Sequence, residues 1–295
     1  YVTAADGTFY GAITLQELII ARDGESLEPL IATSYPYVYA EDPVEDCIER
    51  IKGYSETSIP VLSGDNRLIG VIMATDFVSV VEDAMSDDYA KLGGLSAEED
   101  LHEPTRVSMK KRLPWLMVLL GLALVVSLVV GVFEQVVAQL TLVICFQSLV
   151  LDMAGNVGTQ SLAVTIRVLM DEQLSAKQKW TLVWKEGRIG AANGLLIGTL
   201  AFAFVGLYIH LLKGQTWMVS YAISGCIGAA LLVSMWISSL AGTTIPLAFK
   251  KMGVDPAVAS GPLITTINDL VAVVAYYGLT WVLLLGIFDI TQYMI

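Results

Sequence analysis

"TTINDLVAVVAYYG" (residues 265–278) places a single carboxylate, Asp269, inside an otherwise apolar helical run. A charged side chain near the middle of a bilayer costs roughly 3 kcal/mol on insertion scales, so such groups usually face a pore or a cavity. The alternative is a helix-packing aspartate bonded to a hydroxyl on another span. Thr265, Thr266 and Asn268 add oxygen donors beside it, and Pro262, lacking an N–H, is expected to free a backbone carbonyl earlier in the helix. The surroundings hold neither sulfur nor imidazole. Hard cations such as Mg²⁺ or Ca²⁺ prefer that chemistry, whereas Zn²⁺ and Cu⁺ do not.

A second polar run, "LDMAGNVGTQS" (151–161), interrupts another apolar stretch. Gly155 and Gly158 permit close backbone approach, as tight helix packing would require. Packing alone would not need Asn156, Thr159, Gln160 and Asp152. Two dense polar runs in separate spans imply that they face each other or a common aqueous path.

Away from these runs the 295-residue chain divides into two unlike parts. Residues 1–105 carry 21 Asp/Glu against 5 Lys/Arg, a net of −16, and residues 106–295 carry 8 acids and 12 bases, a net of +4. With a mean hydropathy of +0.65 for the whole chain, the second part is too long and too apolar for one soluble core. The acidity argues against nucleic acid as a partner and suits cations. Cys47, Cys145 and Cys226 show no zinc-type spacing or disulfide framework, and His102 and His210 stand alone.

Membrane segments are predicted at roughly 114–133, 137–169, 187–212, 217–249 and 256–288. "RVSMKKR" precedes the first, and the loop around Glu134 holds no Lys or Arg. The next connection carries Arg167, Lys177, Lys179, Lys185 and Arg188, the third only Lys213, the fourth Lys250 and Lys251, and "FDITQYMI" at the C-terminus none. This asymmetry predicts five crossings, a cytoplasmic N-terminus and an external C-terminus in the cell membrane.

The acidic part repeats itself. "DGTFYGAITLQEL" (6–18) and "DNRLIGVIMATDF" (65–77) align without gaps, each reading as turn, strand, Gly, strand and helix start. Between them, Asp42-Pro43 marks a capped helix. The pattern resembles a CBS-domain pair, an α/β regulatory module. Residues 1–32 would be the end of the first copy and 33–84 a complete second copy. With Tyr1 in mid-pattern and no Met, the reading expects an N-terminal part before it. The resemblance would assign ribose binding to a Thr and an Asp three residues on. Thr14/Glu17 and Met73/Asp76 each lack one member of that pair, which argues against a bound nucleotide. An architectural module is the other reading. After it, "VEDAMSDDYAKLGGLSAEEDLHEP" (81–104) reads as an acidic helix broken at Gly93-Gly94.

"DMAGNVGTQSLAVTIR" together with "GVDPAVASGPLITTINDL" resembles the MgtE family of magnesium channels. The resemblance implies a multi-domain membrane protein with a cytoplasmic α/β CBS module (1–84) and an acidic connecting, or plug, helix and linker (85–112). An all-α five-helix transmembrane pore domain (113–295) would follow, assembled as a homodimer in the bilayer. It implies that Asp269 is the pore carboxylate, that Gly155, Asn156 and Thr159 line the same ion site with Thr265 beside them, and that Asp255 faces the plug helix. Asp76, Asp87 and Asp88 would belong to Mg²⁺ sensing. Ser79 and Ala84 stand where some members carry carboxylates, implying fewer sensed ions. Mg²⁺ would then be both transported and regulatory, with no catalytic role. Two rivals stay open: an ion-coupled carrier for another divalent cation (Mn²⁺, Co²⁺, Ni²⁺), and a membrane sensor or enzyme regulated by the CBS module. Neither an HExxH motif, a phosphate loop nor a nucleophile–base pair supports the enzyme.

Overall fold

The computed structural model describes residues 1–21, 24, 26–51, 57–96, 99–133, 141–171 and 174–287. The chain falls into two units, Tyr1–Ser86 and Asp87–Ile295. The loop at Glu134 and the C-terminal stretch 288–295, with its predicted external position, lie outside the described residues.

The first unit opens with an antiparallel pair, β1 (Val2–Thr3) and β2 (Phe9–Gly11), followed by helix α1 (Leu15–Ile20). A three-stranded sheet then forms from β3 (Val38–Tyr39), β4 (Ser58–Leu62) and β5 (Leu68–Met73), with α2 (Val44–Ile51) between the first two. β3 pairs parallel to β4 and β4 antiparallel to β5. A parallel pair needs a crossover, and α2 supplies it. Val38, Ile51 and Ile59 are the buried centre, with Cys47, Val61, Ile72 and Phe77 packed around them. Before α2, Asp42 Oδ2 accepts from Tyr39 N–H at 3.2 Å and from Arg50 Nη1 at 3.0 Å.

From β5 the chain enters α3 (Ala74–Leu92), one continuous helix through the predicted module boundary at 84/85. It stops at Gly93-Gly94, where Gly94 takes φ +79°, a left-handed value that glycine adopts without strain.

In the second unit, α4 (Thr105–Val132), α5 (Thr141–Ile144) with α6 (Gln147–Asp171), α7 (Ala176–Lys213), α8 (Trp217–Lys251) and α9 (Gly261–Leu279) follow. A π-helical stretch, Thr280–Ile287, extends α9. Five of the described spans are long and apolar enough to cross a membrane, ending at Val132, Leu169, Lys213, Lys251 and Leu284. The basic connection predicted over 167–188 is mostly helix, because α7 begins at Ala176. Ser175 and Gln178 form a reciprocal capping box there. At the other end Gly214 (φ +69°) closes α7 and Thr216 caps α8, giving a tight helical hairpin.

α8 is the central helix: 56% of its most apolar window is buried, against 0% for α4. It lies against α7 so closely that a Cβ on Gly198 would come within 2.6 Å of the Gly228 carbonyl oxygen, and one on Gly228 within 2.7 Å of Gly198 O. Lipid is as apolar as leucine, so this close packing and interhelical hydrogen bonds, not water exclusion, hold the spans together. Tyr276 and Tyr277 of α9 serve the second role: their hydroxyls donate to Val143 O at 2.7 Å and Gln147 Oε1 at 2.6 Å.

A candidate cation site between two spans

α6 and α9 bring the two polar runs together. Gly155 faces Thr265, whose Cγ2 would stand 3.2 Å from a Cβ built on the glycine. One turn on, a Cβ at Gly158 would overlap the side-chain amide of Asn268. Asn268 is completely buried, and its Nδ2 reaches Ala154 O at 3.5 Å. Its Oδ1 has no hydrogen-bond donor among the described residues. An orphaned buried acceptor is costly unless something else meets it.

The hydroxyls of this seam are already oriented. Thr159 Oγ1 donates toward Asn156 O (2.9 Å) and Gly155 O (3.2 Å), Thr265 to Gly261 O (3.0 Å) and Thr266 to Pro262 O (2.9 Å). Each O–H is spent on a backbone carbonyl, which leaves oxygen lone pairs to face a cation or its water. The freed carbonyl expected from Pro262 does not arise. α9 starts only at Gly261, with Ser260 as its cap, so Pro262 sits in the first turn, where its missing N–H costs nothing. Asn156 is exposed on α6 and donates to Asp152 Oδ2 at 3.3 Å. Asp269 is half-buried, next to Asn268, and has neither an ion-pair nor a hydrogen-bond partner among the described residues.

A separate charged cluster lies at the start of the second unit. Asp255 opens the turn before α9: its Oδ1 caps the 3-10 turn Pro256–Val258 by accepting Ala257 N–H at 2.9 Å. Its Oδ2 accepts from Lys91 Nζ at 2.7 Å, and the same ammonium sits 2.7 Å from Asp87 Oδ2. Partial burial alone would pull the Lys91 pKa down. The hydrogen bonds and charges of Asp255 and Asp87 more than reverse this and hold it above the ordinary lysine value. Asp88 and Asp255 border a small pocket with Lys250, which itself donates to Leu169 O at 2.9 Å. Asp76 belongs to the first unit and is exposed there. Among the described residues no three His, Cys, Asp or Glu side chains converge as a ready-made metal site. In the first unit Thr14 and Glu17 bond each other, with Thr14 Oγ1 donating to Glu17 Oε2 at 2.8 Å and Glu17 N–H donating back to Thr14 Oγ1 at 3.2 Å.

Two functional features escaped sequence reasoning. Lys91 carries a local signal, since it stands four residues after Asp87 on one helix face; its reach to Asp255 has none. Glu186, only 4% exposed, falls in the connection whose Lys and Arg residues read as a basic loop. It accepts from Ser161 Oγ of α6 at 3.0 Å, while Ser239 Oγ of α8 donates to its backbone carbonyl at 2.7 Å. This knot ties three helices.

These features define an α-helical membrane protein that carries an oxygen-lined seam between two spans and an α/β module before them. Comparison with known proteins agrees. Residues 147–279 match MgtE, described as a divalent cation transporter, and residues 27–83 match the CBS domain. The chain is 32% identical over 279 residues to "Magnesium transporter MgtE" of Enterococcus faecalis, covering 95% of this chain and 59% of that protein. The Bacillus subtilis protein of the same name is 29% identical (95% and 60% covered), and that of Thermus thermophilus 27% (96% and 61%). The chain thus carries an MgtE-family domain preceded by a CBS domain. It spans about three fifths of the length of these relatives.

Proposed function

We propose that this chain is the pore-forming and gating portion of a Mg²⁺ channel or transporter for magnesium uptake, working as a homodimer in the cell membrane and not as an enzyme. The observation that carries this reading is the α6–α9 seam, where Gly155 and Gly158 let Thr265 and Asn268 approach, next to an Asp269 with no partner among the described residues. Relatives bearing the name magnesium transporter support the choice of ion. Mg²⁺ gives up its waters reluctantly and holds its ligands in a strict octahedron. Reading the hydrated ion through its waters, with hydroxyls, amides and a carboxylate, is therefore cheaper than stripping it. Two Asp269 side chains meeting on a dimer axis would balance the charge of the ion, which in turn makes the buried acids tolerable.

In this reading the N-terminal module is cytoplasmic and the C-terminus external, as the Lys/Arg distribution supports. Cytosolic Mg²⁺ closes the pore by binding at the acidic residues Asp76, Asp87, Asp88 and Asp255. The ion preferentially binds the closed state, so the transported ion limits its own entry. The test is Mg²⁺ uptake into liposomes by Asp269→Ala. Loss of flux with assembly retained is expected, and wild-type flux would overturn the assignment. Single-channel currents in the parent protein would decide against a coupled carrier.

A further inference from the structure

We propose that Lys91 is a tethered cation that bridges Asp87 and Asp255 when no divalent ion does, and that a regulatory divalent cation binds there by displacing it. This rests on the gating reading above and adds to it the residue that sets the working concentration.

The geometry is specific. One ammonium nitrogen lies 2.7 Å from Asp87 Oδ2 and 2.7 Å from Asp255 Oδ2, so the two carboxylate oxygens are within twice that distance of each other. The first contact is local, one helical turn along α3; the second joins residues 164 apart in the chain. Asp255 is not a wandering loop carboxylate. Its other oxygen is fixed on Ala257 N–H, which aims Oδ2 at the ammonium and couples any movement of the pair to the 3-10 turn that precedes α9. The turn that leads into the helix carrying the candidate pore carboxylate thus starts from a residue held by Lys91.

A divalent ion and the ammonium cannot share this place. Mg²⁺ would hold the two oxygens at about 2.0–2.1 Å, closer than a hydrogen-bonded nitrogen does, and with twice the charge. Lysine is suited to yield: its charge is a compact point on a flexible stem, and at 27% side-chain exposure it has a route to solvent. Removing both cations leaves two carboxylates facing each other, which repel. The cluster therefore has two compact states, one held by the chain's own cation and one by the ion, and competition between them sets the threshold.

The experiment is hydrogen–deuterium exchange on the intact protein in nanodiscs, followed at 85–95 and 252–258 across a MgCl₂ titration that starts in EDTA. The wild type, Lys91→Gln and Lys91→Arg are compared. Glutamine is a good helix former, so α3 persists without the charge. Lys91→Gln is expected to exchange faster than wild type in EDTA and to reach full protection at about fivefold lower Mg²⁺, the factor set by removing one partly exposed ion pair. Lys91→Arg should follow the wild type. If wild type responds to Mg²⁺ while the Lys91→Gln midpoint stays put, the competition is refuted and the gating reading survives. If wild-type exchange at both segments is the same with and without MgCl₂, the gating reading itself falls and the competition falls with it.

Discussion

Substituting Gly158 by alanine tests whether the α6–α9 seam is built as described. The new methyl would land on the Asn268 amide. α6 has no free direction of retreat, because on α8 a Cβ at Gly242 would likewise overlap Gly158 O. Overpacking of this kind costs roughly 1–3 kcal/mol. Replacing glycine within a helix returns about 1 kcal/mol through propensity. With backbone blocking retreat, the upper half of that range applies, and the net expectation is a loss of about 1–2 kcal/mol, together with most of the Mg²⁺ flux. Gly155→Ala is the internal control. Its methyl meets Thr265 Cγ2 at 3.2 Å, a contact that a shift of a few tenths of an ångström relieves. Propensity should offset that cost and leave stability within about 0.5 kcal/mol of the parent. The assay is reversible unfolding in mixed micelles, with flux measured on the same preparations. Gly158→Ala/Asn268→Ala should recover at least about 1 kcal/mol relative to additivity, since the shortened side chain vacates the space the methyl needs. Strict additivity, or a Gly158→Ala protein as stable as its parent, would mean that Asn268 does not occupy the glycine notch.

Two further outcomes follow from the structure. Glu186→Ala should lower stability by about 1 kcal/mol by removing the acceptor of Ser161, which keeps only the Ser239 hydroxyl at 2.8 Å, while Glu186→Gln, which still offers an acceptor, should lose less than half as much in the same unfolding assay. A reporter fused after Ile295 should read as external and one before Tyr1 as cytoplasmic; the same side for both would contradict an odd number of crossings.

How much of this was legible in the sequence depended on whether solvent imposed a rule. The bilayer penalises every polar group, so the runs at 151–161 and 265–269 stood out, and each falls on a helix that packs against the other. Five spans followed from apolar length alone, with errors at their ends. Pro262 illustrates one such error. Placed inside a span starting near 256, it is expected to free a backbone carbonyl, but the cap at Ser260 sets where the helix begins, and cap geometry is decided by which side-chain oxygen reaches a backbone N–H. α7 illustrates another: its first turns carry Lys177, Lys179 and Lys185, and charge on a helix extending beyond the apolar core looks identical to charge on a loop. Lys91 was hidden for a different reason. A bridge across 164 residues is a property of the packed chain, and no periodicity encodes it.

The buried acids separate by what they touch. An intramembrane carboxylate can serve as packing glue, bonded to a hydroxyl on a neighbouring helix, or it can face an ion path. Sequence alone left both roles open for Asp269. In the structure the first role is filled, but by Glu186, which takes the Ser161 hydroxyl of another span. Asp269 has no such partner among the described residues, and the buried amide beside it keeps an acceptor unmet. The hydroxyls of Ser220, Ser234 and Ser238 are also buried without a partner among the described residues, but they are neutral, whereas a partly buried carboxylate with no counter-charge costs far more. Asn268 sits against Gly158 of the second helix, and Asp269 follows it on α9. A hydrated divalent cation on that seam would meet both needs at once. Replacing Asp269 should therefore impair ion passage far more than folding, and replacing Glu186 should do the reverse.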